Sequence, residues 1–326
     1  MAQLERANEG QTSDLDMREF VRQWGREPLE EPPCALCGSC SRRRLLEERF
    51  AGYVFGVVQC ADCGFAYTCP RLPAKLREQL HTPELRNALV EAGILAPRHR
   101  IPAGRTAIFD YASQDVHLER YRAGLALLRA RVQGGRLLDV GCAGGRFVEL
   151  AAHAGFEAMG CDVDRAAVAY GRDLGLDLRA GEVTDVDVSP ASLDVATLWN
   201  VLEHVSDPKA TLAAVVSLLR PGGVVLVECP NFVLYQWRAR LGMAPPPSQY
   251  RLSAYEHLNH FTARTLADVL RRAGCDDVGF STATSTGAPG LKGQLRRAVT
   301  RLLFRLSSGR VNWHFPLLTL ARRTQV

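Results

Sequence analysis

The stretch from residue 136 to residue 147 combines the residue types that hold a small ligand against the protein backbone. An apolar run typical of a buried strand is followed by Gly141-Cys-Ala-Gly-Gly145 and then by a helix-like segment. In α/β proteins such a strand, turn and helix form a ligand cradle at the carboxyl end of the strand. The dinucleotide fingerprint G-x-G-x-x-G is excluded, because Ala143 and Arg146 take its second and third glycine positions. No Gly-Lys-Ser/Thr follows, so a P-loop is excluded as well.

A second set of chemically active residues lies near the N-terminus. Cys34 and Cys37 form one Cys-x-x-Cys pair, and Cys60 and Cys63 form another after a gap of 22 residues. Each pair can present two thiolates from one tight turn, and two such pairs at this distance predict a four-cysteine zinc ribbon with Zn²⁺ in a structural role. Residues 50–58 between the pairs are predicted to form a β-hairpin. So short a segment needs a metal or a similar staple to fold.

The elements that must position the glycine turn follow from the apolar pattern downstream. Strands and helices alternate, which predicts an α/β fold with a parallel sheet and crossover helices. An amphipathic helix over residues 117–132 is expected to pack on this sheet. The candidate strands are Arg136–Val140, Glu157–Asp162, Asp177–Ala180, Leu193–Trp199, Val224–Cys229, Asp277–Thr282 and Leu317–Arg322.

The turn and its strand resemble motif I of class I S-adenosylmethionine (SAM) methyltransferases. The motif reads Asp-x-Gly-x-(Gly/Ala)-x-Gly from Asp139 to Gly145, with Ala143 in place of the middle glycine. The resemblance covers about residues 118–280 and implies a Rossmann-like seven-stranded sheet whose last strand returns as a hairpin. It also implies SAM as the cofactor, with small residues allowing the backbone to approach the ligand closely.

The same resemblance assigns cofactor-binding positions along the sheet. Asp162 is expected to bind the ribose hydroxyls at the end of the second strand, where a carboxylate can accept from both. Asp164 is read as the cap of the helix that follows. The expected cofactor-binding residues are Asp139, Gly141, Cys142, Ala143, Gly145, Asp162, Val163, Glu182, Val183 and Asn200. Glu203 and His204, after Asn200, are predicted to begin a helix.

The N-terminal segment resembles the zinc ribbon that precedes the methyltransferase domain in many bacterial enzymes of sugar, polysaccharide and lipid modification. We therefore expect residues 1–30 to be largely disordered and residues 31–75 to form the ribbon. Residues 76–115 are expected to form a helical linker, and residues 116–326 the methyltransferase domain.

Residues 255–266 carry the candidate catalytic groups. Tyr255-Glu-His-Leu-Asn-His260 resembles the His-Leu-x-His-Phe pattern of zinc-ribbon methyltransferases of polysaccharide and lipid clusters. It also resembles a sugar C-methyltransferase pattern, in which His257 takes the position of the proposed general base. Tyr255, His257 and His260 are the candidate catalytic residues, although Thr262 also suits a helix cap and His257 also suits a structural role.

Three kinds of acceptor remain open at this point. The preferred one is a small-molecule, sugar or lipid-linked acceptor that is methylated at oxygen. The second is carbon methylation of a nucleotide-linked keto sugar. The third is an RNA- or protein-modifying enzyme with the ribbon as its docking module. Nucleic acid is disfavoured because the ribbon carries only one arginine cluster, at residues 42–49.

Composition and charge limit where the protein works. The sequence has 326 residues, a formal net charge of +5 and ten cysteines, and its N-terminus has no apolar signal region. This combination predicts reduced thiols in the cytoplasm. Residues 291–310 are basic and amphipathic, so they are expected either to lie on an anionic membrane surface or to pack on the domain as an ordinary helix.

Overall fold

The computed structural model describes residues 28–101, 115–242, 252–283, 291–307, 312 and 316–325. The strands are β1 (Arg42–Phe50), β2 (Tyr53–Cys60), β3 (Ala66–Thr68), β4 (Gly135–Val140), β5 (Phe156–Asp162), β6 (Leu178–Ala180), β7 (Leu193–Trp199), β8 (Leu219–Cys229), β9 (Asn259–His260), β10 (Cys275–Ser281) and β11 (Leu317–Arg323). The helices are α1 (Ala74–Gln79), α2 (Pro83–Glu91), α3 (Asp115–Arg129), α4 (Arg146–His153), α5 (Arg165–Asp173), α6 (Pro208–Leu218), α7 (Val233–Arg240), α8 (Ala263–Arg272) and α9 (Leu291–Leu306).

The large sheet has seven strands in the order β10-β11-β8-β7-β4-β5-β6. Strands β8, β7, β4, β5 and β6 are parallel, whereas β11 lies antiparallel to both β8 and β10. The order reverses at β4, the strand that ends in the glycine turn, as expected for a ligand site at a topological switch point. The predicted Rossmann-like seven-stranded fold is confirmed. β8 begins earlier than predicted, at Leu219.

Helix α3 covers the centre of this sheet through an aromatic cluster. The Tyr121 ring on α3 lies 5.0 Å from the Trp199 ring and 5.5 Å from the Phe147 ring. Phe147 and Trp199 are buried in the same core as Leu137 and Leu226 of the sheet. The cluster fixes α3 against the carboxyl end of β7, which brings the polar residues of α3 to that edge.

The small sheet has four strands in the order β1-β2-β3-β9. Its first three strands come from the predicted ribbon. The hairpin of β1 and β2 spans residues 42–60, so it begins eight residues before the predicted hairpin at residues 50–58, which covers its turn and most of β2. The fourth strand, β9, comes from the segment that carries the candidate catalytic residues. In the β3–β9 pair Ala66 stands opposite His260 and Tyr67 opposite Asn259. The ribbon and the candidate catalytic segment therefore share one sheet.

The predicted linker contributes helices α1 and α2 to a second core. Leu76, Leu85 and Leu89 are buried with Phe55 of the ribbon, and the same cluster includes Tyr255. Residues 1–27 and 102–114 lie outside the described residues, so the expected disorder of residues 1–30 and the boundaries of the four segments stay predictions.

Helix starts show where the sequence interpretation holds and where it is wrong. Asp164 caps α5 by accepting from Ala166 N at 3.0 Å and from Ala167 N at 3.1 Å, as predicted. Thr262 caps α8 in the same manner. The predicted helix start at Glu203 is wrong: residues 202–204 form a turn, and α6 begins at Pro208. Asp207 caps it, and a proline fits the first helical turn better than a position further inside.

Phe65 of the ribbon packs in the same buried core as Leu138 and Leu198 of the seven-stranded sheet, and its substitution tests this contact. Its ring is fully buried and lies 5.3 Å from the ring of Phe261. Phe65→Ala should lower the free energy of unfolding by about 3–5 kcal/mol, because it removes buried contacts and leaves a cavity. Leu174→Ala, at a side chain that is 61% exposed, is the control. Chemical denaturation followed by far-UV circular dichroism measures both, and equal midpoints would contradict the shared core.

Candidate functional site

The glycine turn has the backbone that its residue types predict. Gly141 and Gly145 have φ angles of 73° and 83°, in the left-handed region that favours glycine. A Cβ on Gly141 would lie 2.4 Å from Val201 Cγ2, and one on Gly145 would lie 2.7 Å from Leu176 Cδ1. Only glycine fits these two places without displacing neighbouring side chains, so they fix the path of the chain from β4 into α4.

Asp162 holds this turn in place. Its Oδ2 accepts from Ala143 N at 2.7 Å and its Oδ1 accepts from Asp164 N at 2.8 Å. Ala143 itself has a φ of 49°, which is costly for alanine, and the Asp162 contact compensates. Burial raises the pKa of Asp162, although the backbone donors act in the opposite direction. The predicted ribose role remains open to this carboxylate, because each oxygen retains a further lone pair.

Asp139 lies within β4, and its side chain contacts the neighbouring strand β7. Its Oδ1 accepts from Thr197 Oγ1 of β7 at 2.6 Å, and its side chain is buried. Burial raises the pKa of Asp139 to about 8, against the lowering effect of the Thr197 hydrogen bond. Cys142, also buried, donates its backbone N–H to Cys161 O at 3.0 Å. These two residues therefore connect β4 and the turn to the neighbouring strands β7 and β5.

The residues predicted to surround the adenosine lie beyond β5 and β6. Val163 follows Asp162 and is 63% exposed, an unusual state for a valine next to a buried strand. Val183 is buried, and Glu182 is exposed with its backbone N–H donating to Asp185 Oδ2 at 2.9 Å. An exposed apolar side chain and an exposed carboxylate are the kinds of group that contact a purine ring and its amine, and the roles of Val163 and Glu182 stay predictions.

Asn200 directly follows β7 and has the left-handed conformation, with a φ of 53°. Its N–H donates to Glu228 O at 2.8 Å, and its Oδ1 accepts from Arg120 Nη2 at 3.4 Å. Arg120 also forms an ion pair with the buried carboxylate of Glu228. Neither Arg120 nor Glu228 was singled out from the sequence, although an acidic residue inside the apolar run Val-Val-Leu-Val-Glu-Cys was a usable signal.

Within the part of the chain that the structure describes, several buried polar atoms at this edge have no hydrogen-bond partner. They are Arg120 Nε, Trp199 Nε1, Glu203 Oε2 and Glu228 Oε2. Buried polar groups are rarely left unpaired without a functional reason. A ligand that carries both an ammonium and a carboxylate, as the methionine part of SAM does, supplies partners of both signs. The residues of this edge therefore fit SAM.

A pocket opens beside the carboxyl end of β8. It is lined by Pro230, Asn231, Phe232, Tyr235, Leu252, His257, Asn259 and His260. Two predicted catalytic residues, His257 and His260, thus face one pocket. Burial lowers the pKa of each to about 3, so both imidazoles stay neutral throughout the physiological range, and each keeps a lone pair on one ring nitrogen.

Glu203, His204 and His257 form a compact group next to this pocket, with ligand atoms within 4.8 Å of one another. His204 Nδ1 contacts Glu256 O at 3.2 Å. Burial raises the pKa of Glu203 to about 8 and lowers that of His204, which favours the neutral form of both. One carboxyl and two imidazoles could hold a divalent cation or remain an uncharged wall of the pocket.

Tyr255 is the predicted catalytic residue that the structure does not bring to this pocket. Its ring stacks on Phe50 of β1, with centroids 3.7 Å apart and planes 7° from parallel. Burial raises the pKa of its hydroxyl far above the usual value. Packing of this kind favours a structural role in the ribbon core.

The two cysteine pairs meet as the spacing predicts. Cys34 Sγ lies 3.5 Å from Cys63 Sγ, and Cys37 Sγ lies 3.5 Å from Cys60 Sγ. A tetrahedral zinc ion with Zn–S bonds of about 2.3 Å needs sulfur atoms about 3.8 Å apart. Burial raises the pKa of the Cys34 thiol to about 11, so a cation is needed to keep it ionised at neutral pH. The four thiols therefore fit a structural Zn²⁺.

Comparisons with known proteins agree with this geometry. A family profile described as "Methyltransferase domain" matches residues 113–279, just over half of the chain. A probable S-adenosylmethionine-dependent methyltransferase of Mycolicibacterium smegmatis is 28% identical over 52% of this chain and 63% of its own length. The ubiquinone biosynthesis O-methyltransferase of Xanthomonas campestris is 34% identical over 35% of this chain and 51% of its own length. The chain thus matches about half to two thirds of these relatives.

Among solved structures, a 1,6-didemethyltoxoflavin-N1-methyltransferase of Burkholderia thailandensis is similar to this chain, and the matched region covers 81% of this chain and 97% of that protein's chain. It is 20% identical, with a TM-score of 0.45.

The Asp162 carboxylate gives a direct test of the cofactor site. Asp162→Ala should weaken SAM binding at least about 30-fold, because it removes the hydrogen bond from Ala143 N of the turn, the one from Asp164 N and the expected ribose acceptor. Isothermal titration calorimetry measures the affinity. Asp173→Ala, at the exposed end of α5, is the matched control and should bind SAM like the parent protein. Unchanged affinity in Asp162→Ala would contradict the site.

The cysteine cluster gives a separate test. Cys60→Ser should reduce the zinc content of the purified protein from about one ion per chain to near zero, since three thiolates hold the ion far less well than four. Cys275→Ser, at a buried cysteine in β10, is the matched control. Elemental analysis by mass spectrometry measures both variants, and a parent protein without bound metal would contradict the zinc site.

Proposed function

This chain belongs to the methyltransferase-domain family, and we propose that it methylates a hydroxyl oxygen of a small-molecule, sugar or lipid-linked acceptor with SAM as the donor. The observation that carries the proposal is the placement of two neutral imidazoles, His257 and His260, in a pocket at the same sheet edge as the cofactor turn. The similarity to ubiquinone biosynthesis O-methyltransferases over 121 residues also favours oxygen as the methylated atom.

Methyl transfer from SAM requires the protein mainly to position the acceptor hydroxyl and to remove its proton. SAM, when bound, supplies a methyl group that its sulfonium already activates. The chain must align the acceptor oxygen with that methyl group, exclude water and accept the hydroxyl proton. Phe232 and Tyr235 give the pocket an apolar wall, and buried neutral histidines can take a proton without first losing one.

The exposed face of α9 favours a lipid-linked acceptor or one held near a membrane. Leu295, Val299, Leu302 and Leu306 are 65%, 47%, 56% and 75% exposed. Their spacing of four, three and four residues places them on one face of the helix. The helix sequence contains five basic residues and no acidic one. A basic helix with an apolar stripe suits the interface of an anionic bilayer. Among the described helices, none has the length and apolar character to cross a membrane.

The ribbon, with Zn²⁺ in its four-cysteine site, has a structural role in this proposal. Its strands complete the sheet that contains β9, and its core includes Tyr235 of the pocket. A ribbon folded into the domain in this way supports an acceptor pocket better than it supports a free docking module for RNA or protein.

Methyl-label transfer tests the proposal. Purified protein and methyl-labelled SAM are incubated with an extract of host cells that lack the gene, with and without anionic vesicles. We expect label in the organic or small aqueous fraction, with vesicles increasing the organic label. His260→Gln should reduce the label by about 100-fold or more, the usual effect of losing a general base. His153→Gln, at an exposed histidine of α4, is the matched control.

The same assay separates the alternatives. Label confined to RNA or protein would contradict the proposed acceptor class. A product with a new carbon–methyl bond, identified by mass spectrometry and NMR, would instead indicate carbon methylation. Leu302→Glu should abolish the response to vesicles while leaving aqueous turnover unchanged, and a vesicle response that persists would contradict the role of α9.

A further inference from the structure

A side chain of the ribbon contacts the candidate base directly. Thr68, the last residue of β3, is almost fully buried, with 1% of its surface exposed. Its Oγ1 lies 2.7 Å from His257 O and 3.0 Å from His260 Nε2. Its backbone N–H donates to Leu258 O at 2.9 Å. Three contacts thus join this one residue to the segment that carries both histidines.

The direction of these hydrogen bonds follows from elementary valence. A threonine hydroxyl has a single hydrogen, and a carbonyl oxygen can only accept. Two oxygen atoms 2.7 Å apart repel each other unless a hydrogen lies between them, so the Thr68 hydrogen belongs to the bond with His257 O. The hydroxyl must then accept from His260, which places the proton of the neutral imidazole on Nε2.

This assignment leaves His260 Nδ1 as the ring nitrogen with a free lone pair. Among the described residues, no hydrogen bond to His260 Nδ1 is found. The imidazole lines the pocket, and its ring lies 5.1 Å from that of Phe232. The tautomer and the orientation of the ring are therefore both set by Thr68, in the way that an orienting partner sets a catalytic histidine in other enzymes.

We propose that Thr68 of the ribbon is the positioning residue for His260, holding it in the tautomer whose Nδ1 accepts the proton of the acceptor hydroxyl. This inference rests on the proposed function and adds to it the source of the base's geometry. As the acceptor oxygen bonds to the methyl carbon, its proton passes to Nδ1. The electron pair of the broken carbon–sulfur bond remains on the sulfur of S-adenosylhomocysteine.

The strands of the ribbon connect the cysteine cluster to Thr68. Thr68 stands opposite Val57 in the β2–β3 pair, and β2 ends at Cys60 of the cysteine cluster. The turn from Cys60 to Cys63 leads directly into β3, with Cys60 N donating to Phe65 O at 2.8 Å. The position of the Thr68 hydroxyl therefore depends on a correctly folded ribbon.

Kinetics of two substitutions test the proposal. Thr68→Val keeps the shape of the side chain but removes the hydroxyl, and should lower kcat by about 10- to 100-fold with little change in KM. Thr68→Ser keeps the hydroxyl and should restore kcat to within about threefold. Thr324→Val removes a hydroxyl that donates to a backbone carbonyl, Gly274 O at 3.1 Å, far along the chain, and is the control for loss of such a bond.

The pH profile separates positioning from simple support of the fold. Burial lowers the pKa of His260 to about 3, so the parent enzyme should show no loss of kcat from this group between pH 8 and pH 5. Thr68→Val leaves the ring buried and removes only its hydrogen-bond partner, so the variant should lose kcat by the same factor at every pH in this range. A loosened fold would instead expose the ring, raise its pKa toward the ordinary value of about 6.5 and make kcat fall as the pH drops through that value. Unchanged kcat, or a kcat that falls with pH in this way, would overturn the proposal.

A measurement without turnover keeps the inference separate from the proposed function. Nitrogen-15 NMR of labelled histidine, with His260→Gln identifying the signal, reports which ring nitrogen carries the proton. The parent protein should show His260 protonated at Nε2 alone. Thr68→Val should alter this signal, while the melting temperature and zinc content of the variant stay near those of the parent.

A proton on Nδ1 of His260, or the same ring protonation in the parent and in Thr68→Val, would overturn the proposal even if methyl transfer is found. Absence of methyl transfer by the parent protein would instead contradict the proposed function.

Discussion

The structure depends most on how residues 257–260 are held between β3 of the small sheet and the turn that follows β7 of the large sheet. Asn259 Nδ2 donates to Leu202 O at 2.9 Å and to Val205 O at 2.7 Å, while the N–H groups of Leu258 and Asn259 both contact Glu203 O. On the other side this segment pairs with β3 of the ribbon. Buried backbone and amide groups must be paired, so the segment cannot shift without losing several hydrogen bonds together. This constraint brings the ribbon, the turn after β7 and the pocket lined by His257 and His260 into one unit.

The same edge of the molecule concentrates buried ionisable groups. Asp139, Glu203 and Glu228 are almost fully buried, and Arg120 is the cation paired with Glu228. Such groups are costly in an apolar core and are found mainly where chemistry requires them. Their placement at the carboxyl ends of parallel strands agrees with the position of ligand sites in open α/β sheets.

Much of the fold could be predicted because its signals are local. The strand and glycine turn at 136–145 consist of consecutive residues, so their pattern can be recognised in the sequence. The helix caps at Asp164 and Thr262 each depend on one side chain and the helical turn that follows it. The cysteine cluster was predictable for the same reason, since each pair lies within four residues.

The remaining features depend on contacts between distant parts of the chain. β9 has only two residues, and its pairing with β3 joins residues about 190 positions apart. No periodicity in so short a segment predicts a strand. The role of Arg120 could not be predicted for a related reason. It pairs with the buried Glu228 carboxylate of β8, which is far away in the chain, and not with its neighbours on α3. The contact between Thr68 and His260 follows from the same long-range pairing.

A crystal structure with S-adenosylhomocysteine tests the central claim most directly, namely that the cofactor turn and the histidine pocket form one active site. The account predicts the ribose over Asp162, the adenine beside Val163, and the sulfur near Asn200 on the side of the pocket that holds His260. A ligand bound away from the glycine turn, or a sulfur separated from the pocket by the body of the protein, would contradict it.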